Sequence, residues 1–240
     1  MGDSSMSNLT YYDFDAVAWL YNFLLSSGMT VEGVQGLMGN LYEESHCCPY
    51  ELEGWESQYN YCLNQLLSVI RYQDRNTFET YTYRYGTKKG FGLAQWTWYE
   101  RKRSLWNWGK AWLQNLQPQP SEHWETYVGD MECDANFMIH ELQTDYPGVW
   151  NVLTTSHDIM TCVKKVLHDY EAPANQSSAV ELRRYNYAVK IGQDFGGITP
   201  PPTPPTPTPT PIPPEPVDPG HPNIPVWLMF KLKEGSDNLL

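Results

Sequence analysis

The sequence is poor in cations. Its 240 residues carry 16 Lys and Arg against 28 Asp and Glu, a formal net charge of −12. That excludes the basic footprint of a nucleic-acid binder, so no nucleic-acid partner is expected. Long apolar runs are missing too: none approaches the roughly 20 residues needed to span a bilayer, and no membrane span is expected. Residues 1–10 are polar and lack the charged-then-apolar tandem of a secretory signal, from which synthesis and retention in the cytoplasm are expected. Cysteine is scarce and odd in number. Cys47, Cys48, Cys62, Cys133 and Cys162 match neither a disulfide framework nor a Cys-x-x-Cys zinc pattern. His46 with Cys47, Cys48 and Cys62 is the nearest approach to a metal set, but adjacent cysteines are badly spaced for one ion. His140, His157 and His168 also stand at no metal spacing, and neither His-Glu-x-x-His nor His-x-x-x-Asp occurs. Reduced thiols, no metal and no cofactor are the expectation.

What is abundant is aromatic. Ten Trp and 17 Tyr suit both a core and a carbohydrate surface, and core packing accounts for most of them. The stretch around which the chain is organised is Gly36-Leu37-Met38-Gly39-Asn40-Leu41-Tyr42-Glu43-Glu44-Ser45. Thr30 is an N-cap type residue, and Val31, Val34, Leu37, Met38 and Leu41 recur at helical spacing after it. At roughly 100° per residue these make one apolar stripe. Glu43 projects about 180° from Val34, into water. Glu44 falls one heptad after Leu37, on the rim of the stripe. A carboxyl at such a rim is partly desolvated, which raises its pKa toward what a general acid needs. The competing reading is a solvated glutamate pair at a frayed helix end, the common state of carboxylates.

About fifty residues on, Gly90-Phe91-Gly92-Leu93-Ala94-Gln95-Trp96-Thr97 packs two glycines, an amide, an indole and a hydroxyl into eight residues. Before it, Tyr81-Thr82-Tyr83-Arg84-Tyr85 alternates as a strand with three tyrosines on one face. Residues 86–90 between them read as a hairpin loop. The geometry predicted is a helix ending in an acid and facing a small β-hairpin. Flat aromatic faces and amides match the apolar face and polar edge of a sugar ring, so Tyr81, Tyr83, Tyr85, Gln95, Trp96 and Thr97 are candidate substrate contacts.

These motifs resemble the phage tail lysozymes, peptidoglycan-cutting domains carried at the tail tips of bacteriophages. The resemblance runs in order through most of residues 12–195. It rests on Gly39-Asn40 through Glu44-Ser45, on Gly90 through Thr97, and on Tyr170-Glu171-Ala172-Pro173-Ala174-Asn175. It implies Glu44 as catalytic acid, with Ser45, Gly92, Leu93 and Gln95 along the glycan cleft and Tyr170 and Glu171 among the substrate-site residues. It further implies cleavage of the β-1,4 glycan backbone, muramidase type. Two departures stand out: Cys48-Pro49 where the family often has Asn-Pro, and Ala172 where it often has the arginine of Tyr-Glu-Arg-Pro. The second weakens the case for an ion pair at Glu171. A second catalytic carboxylate is not fixed by the sequence; Asp74 and Glu79 are candidates. A lytic transglycosylase on the same bond, and a non-catalytic wall-binding or tail-structural protein that keeps the fold, both remain open.

The rest of the chain is helical in pattern. A first helix is predicted from about Asp13 to Ser27, stopped by Gly28. Residues 50–80 look like an inserted lobe over one end of the cleft. A helix carries Leu105, Trp108, Trp112 and Leu116. Another carries Met131 to Leu142, closing before Pro147-Gly148. One capped by Ser156 carries Met160, Val163, Val166, Leu167 and Tyr170, and a last covers about 178–194. The fold class expected is α+β: a mostly helical lysozyme-like domain with one small β-hairpin, over residues 12–197. Composition then changes. Fourteen of the 26 residues from Pro200 to Pro225 are proline, so residues 198–225 read as a polyproline II linker reaching roughly 80 Å. Residues 226–240, opening on Val226-Trp227-Leu228-Met229-Phe230, read as an apolar docking segment for a phage tail-tip or tail-knob protein. So acidic a chain is better brought to an anionic wall by tethering than by attraction. The resemblance places it in the virion, at the phage tail, with bacterial peptidoglycan as its substrate.

Overall fold

Local chemistry sets where the helices begin. The structure, a computed structural model, describes residues 9–53, 78, 90–116 and 125–196. All of them fall in the first of two units into which the chain divides, Met1–Thr206 and Pro207–Leu240. Helix α1 (Phe14–Ser26) starts where the Asp13 side chain accepts from the Ala16 amide at 2.9 Å. Helix α2 (Val31–Ser45) starts where Thr30 Oγ1 accepts from the Gly33 amide at 2.9 Å. Each cap satisfies an amide that the first helical turn leaves without a partner. Helix α3 (Tyr99–Asn115) follows without a side-chain cap, and α4 (Met131–Thr144) is capped by Asp130.

Two boundaries differ from expectation. Pro147 does not merely follow α4; it opens a further helix, α5 (Pro147–Thr155). A first-turn proline lacks only an N–H that would have had no helical partner anyway. Asp158, not Ser156, caps the next helix, α6 (Ile159–Val166), accepting from the Thr161 amide at 2.7 Å. The expected run to Tyr170 then changes pitch. Residues Leu167–Glu171 form a π-helical turn, closed by the Ala172 amide donating to Leu167 O at 2.9 Å. Helix α7 (Ser178–Phe195) completes the described chain.

The core gathers on α2. Val34, Leu37, Met38 and Leu41 are fully buried, with Val17, Leu20 and Leu24 of α1, Met138 and Leu142 of α4, Val163 and Val166 of α6, and Ile191 of α7. Val31, on the first turn, is 46 % exposed, so the buried stripe begins at Val34. At Gly39 the lack of a side chain is required: a Cβ there would stand 2.6 Å from Arg184 O and 2.8 Å from Ala188 Cβ. Helix α7 therefore lies directly against the middle of α2. That approach matters for the site.

The fold is mostly helical, with no strand among the described residues. The one β-type pairing there is an isolated antiparallel bridge between Leu52 and Phe91. Residues 90–97, the described half of the expected hairpin, run as tight turns pinned to residues 51–53. Tyr81 to Tyr85, most of the 50–80 lobe, and residues 198–240 lie outside the described residues. No described helix is long and apolar enough to cross a membrane.

Candidate active site

The last turn of α2 presents Glu43 and Glu44, and His46 ends the helix in the left-handed region, φ 53°. The chain turns back, and residues 51–53 run beside the glycine-rich loop. The Gly92 amide donates to Glu51 O at 2.8 Å and the Glu53 amide to Gly90 O at 3.0 Å. Inside the loop, Phe91 and Trp96 exchange backbone hydrogen bonds of 3.3 and 2.9 Å. Gly92 takes φ +77°, where a side chain would be strained, and a Cβ would meet the Trp96 ring at 2.8 Å. The loop is thereby folded flat over its own tryptophan.

Two buried polar contacts join this loop to the helices. The Ser45 hydroxyl lies 2.7 Å from Leu93 O and 3.1 Å from Leu41 O, so the residue after Glu44 ties the helix end to the loop. Beneath, Glu141 of α4 is 3 % exposed and accepts from Trp96 Nε1 at 2.8 Å and from the Tyr170 hydroxyl at 2.9 Å. It also takes a two-pronged bond from Arg101, both contacts 2.9 Å. The Arg101 guanidinium in turn lies over the Tyr170 ring, 4.7 Å from its centroid. Loop, α3, α4 and the π-helical turn meet at one carboxylate.

Above this framework lies a pocket of about 300 Å³, lined by Glu43, Glu44, Glu51, Glu53, Gln95, Thr97, Glu171 and Pro173. That volume is at the small end of ordinary ligand pockets. Of the residues expected at the site, Glu44, Gln95, Thr97 and Glu171 line this pocket. Ser45, Leu93, Trp96 and Tyr170 are buried, and Gly92 with them; they are not in the lining but hold the parts that are. Tyr81, Tyr83 and Tyr85, and the carboxylate candidates Asp74 and Glu79, lie outside the described residues. The expectation that Glu43 points to water is corrected: its side chain is 22 % exposed, against 21 % for Glu44, and both line the pocket. Helix α7 is the reason, because it lays two successive arginines across the end of α2.

Those arginines are what sequence reasoning missed. Arg183 pairs with Glu43, Nε to Oε2 at 3.0 Å. Arg184, 3 % exposed, pairs through Nη2 with Glu44 and donates from Nη1 to Asn40 Oδ1 at 2.9 Å. Asn40 is fully buried and donates to Gly36 O at 2.8 Å, so the chain of contacts from α2 core to Glu44 is rigid. Asn40, a polar residue beside the apolar stripe of α2, was the available signal, since buried amides need partners.

The carboxyls are not equivalent. Glu171 Oε1 is sealed from water and has no hydrogen-bond partner among the described residues. Burial first, and then the charge of Glu44, push the Glu171 carboxyl well above the usual carboxylate range; Arg101 and Arg184 pull the other way. Gln95 donates through Nε2 to Glu51 O at 3.2 Å and Gly92 O at 3.1 Å, while its Oε1 is another buried acceptor without a described partner. A carboxyl with a raised pKa and a fixed amide thus line one small pocket. The sequence model of one family, described as phage tail lysozyme, matches residues 16–195. A search of curated proteins finds none that matches.

Proposed function

This chain belongs to the phage tail lysozyme family, and from that premise we propose that its pocket cleaves the β-1,4 glycan backbone of bacterial peptidoglycan, muramidase type, with Glu44 as general acid. The observation that carries the reading is the convergence of Glu44, Gln95, Thr97 and Glu171, from three separated parts of the sequence, on one pocket. Glu44 would protonate the leaving oxygen as an oxocarbenium-like centre forms. Gln95, held by its own amide nitrogen, would shape the wall of the cleft against which the sugar sits. The C-terminal residues 226–240 would dock the enzyme on a phage tail protein through the linker of 198–225, making it a virion component that opens the host wall.

One experiment on three chains tests this. The full chain should release reducing ends from purified peptidoglycan. Glu44→Gln should lose that activity on the order of 100-fold or more, with melting temperature and wall binding nearly unchanged. A chain ended after Ile198 should digest wall at the full rate yet be absent from assembled particles. Mass spectrometry of the products separates hydrolysis from transglycosylation, since only the latter leaves a 1,6-anhydro ring. Wild-type wall binding without any new chain ends would leave a binding protein in place of the enzyme.

A further inference from the structure

Glu44 is asked to give a proton, yet its carboxylate is ion-paired with buried Arg184. The source of that proton is therefore a separate question. Among the pocket glutamates, Glu43 has Arg183, Glu44 has Arg184 and Glu53 accepts the Gly90 amide at 3.0 Å. Glu171 alone among these four has a buried oxygen with no described partner. Desolvation penalises a carboxylate left so, and the favoured state is the neutral acid.

The placement of Glu171 is also built rather than incidental. It ends the π-helical turn, and such single turns are rare and concentrated at functional sites. The next residue, Ala172, is held at φ +44°, an unusual conformation for a residue with a Cβ. Tyr170, immediately before, is locked to Glu141 and covered by Arg101. The framework thus holds Glu171 in the lining of the pocket that Glu44 shares, with one carboxyl oxygen enclosed and unpartnered.

We propose that Glu171 is the second catalytic carboxyl of this site: in the free enzyme it stores the proton that Glu44 gives to the leaving oxygen, and it recovers one from the attacking water. This rests on the cleavage reading above. The cycle balances. Glu171 passes its proton to Glu44, which becomes the neutral acid while Glu171 becomes the carboxylate. Glu44 protonates the glycosidic oxygen as its bond to the anomeric carbon breaks, the bonding pair leaving on oxygen. Water adds to the anomeric carbon and yields a proton to Glu171. One bond is hydrolysed, and the pair returns to its starting state with Glu44 again facing Arg184. No outside co-reactant is needed. The groups whose charges bear on Glu171 are Glu44 from α2, Arg101 from α3, Glu141 from α4 and Arg184 from α7. The proton is stored where two cations are near but neither makes a hydrogen bond to Oε1.

The test is Glu171→Gln in the full chain, read by rate, pH profile and melting. The rate of reducing-end release should fall on the order of 100-fold with KM little changed. The alkaline limb of the wild-type pH profile, which reports loss of the Glu171 proton, should vanish from its wild-type position. Melting gives a readout independent of catalysis. Because the folded-state pKa of Glu171 is raised, wild-type stability from this group falls as pH climbs above the ordinary carboxylate range. Gln keeps the shape and never ionises, so the variant should melt higher than wild type at neutral pH and equal to it in acid. A variant within threefold of the wild-type rate, with its pH profile unchanged, overturns the proposal while leaving the cleavage reading intact. So does a variant that melts lower than wild type at neutral pH. A wild-type chain that releases neither reducing ends nor 1,6-anhydro ends overturns the cleavage reading itself and the catalytic use of this proton with it.

Discussion

Glu141 and Glu171 are two carboxyls thirty residues apart in sequence, joined through Tyr170, and they live opposite lives. Glu141 is enclosed and accepts from Trp96, Arg101 and Tyr170. Glu171 stands at the pocket with a buried oxygen that no described group meets. A buried charge whose two oxygens both accept hydrogen bonds is a structural joint, because removing it strands its partners. A buried carboxyl left without partners is destabilising, and tolerated where it does chemistry. The difference separates the floor of this site from its working surface: mutations in the floor should read out as stability, mutations in the pocket as rate.

The strongest way to break that distinction is Glu141→Leu. It leaves Arg101, Trp96 and Tyr170 without their shared acceptor, and removing one partner of such a buried pair costs about 3–5 kcal/mol. Urea titration should show this loss, whereas the Glu171→Gln change should show none at neutral pH. If both destabilise alike, the two carboxyls are not of different kinds. A smaller effect is expected from Gly39→Ala. The added Cβ, facing Arg184 O at 2.6 Å, forces α7 away from α2. Overpacking of this sort costs about 1–3 kcal/mol. It also withdraws Arg184 from Glu44, so the rate of wall cleavage should change along with the denaturation midpoint, linking floor to surface. The smallest effect is Glu43→Gln. Its partner Arg183 is half exposed, and pairs of that kind are worth about 0–1 kcal/mol. Thermal melting should hardly move, and wall cleavage should fall far less than in Glu44→Gln. A Glu43→Gln protein as inactive as Glu44→Gln would exchange the roles of the two glutamates.

The amino-acid sequence by itself determined the helix starts at Asp13 and Thr30, the buried stripe from Val34 to Leu41, and the last helix near Ser178. These depend on caps and periodicity, interactions that reach no more than a turn or two along the chain. Unusual residue types also singled out the Gly90–Thr97 loop, whereas the pair Tyr170-Glu171 came only from the family resemblance. The sequence pattern ended the Met131 helix before Pro147 correctly but passed over the helix that Pro147 opens, since proline after one helix and proline opening the next look alike until the following turn is seen. Only the tertiary structure decided how these pieces meet. Arg184 lies 140 residues from Glu44, and the Arg101–Glu141 joint spans 40. No local pattern encodes such pairs; the first exists because a glycine at position 39 lets α7 lie against α2. Glu43 was assigned to water by helical phase alone, and phase cannot tell whether another helix will arrive on that side. The unequal treatment of Glu141 and Glu171 is of the same origin: identical side chains, distinguished by which donors the fold brings within about 3 Å of each.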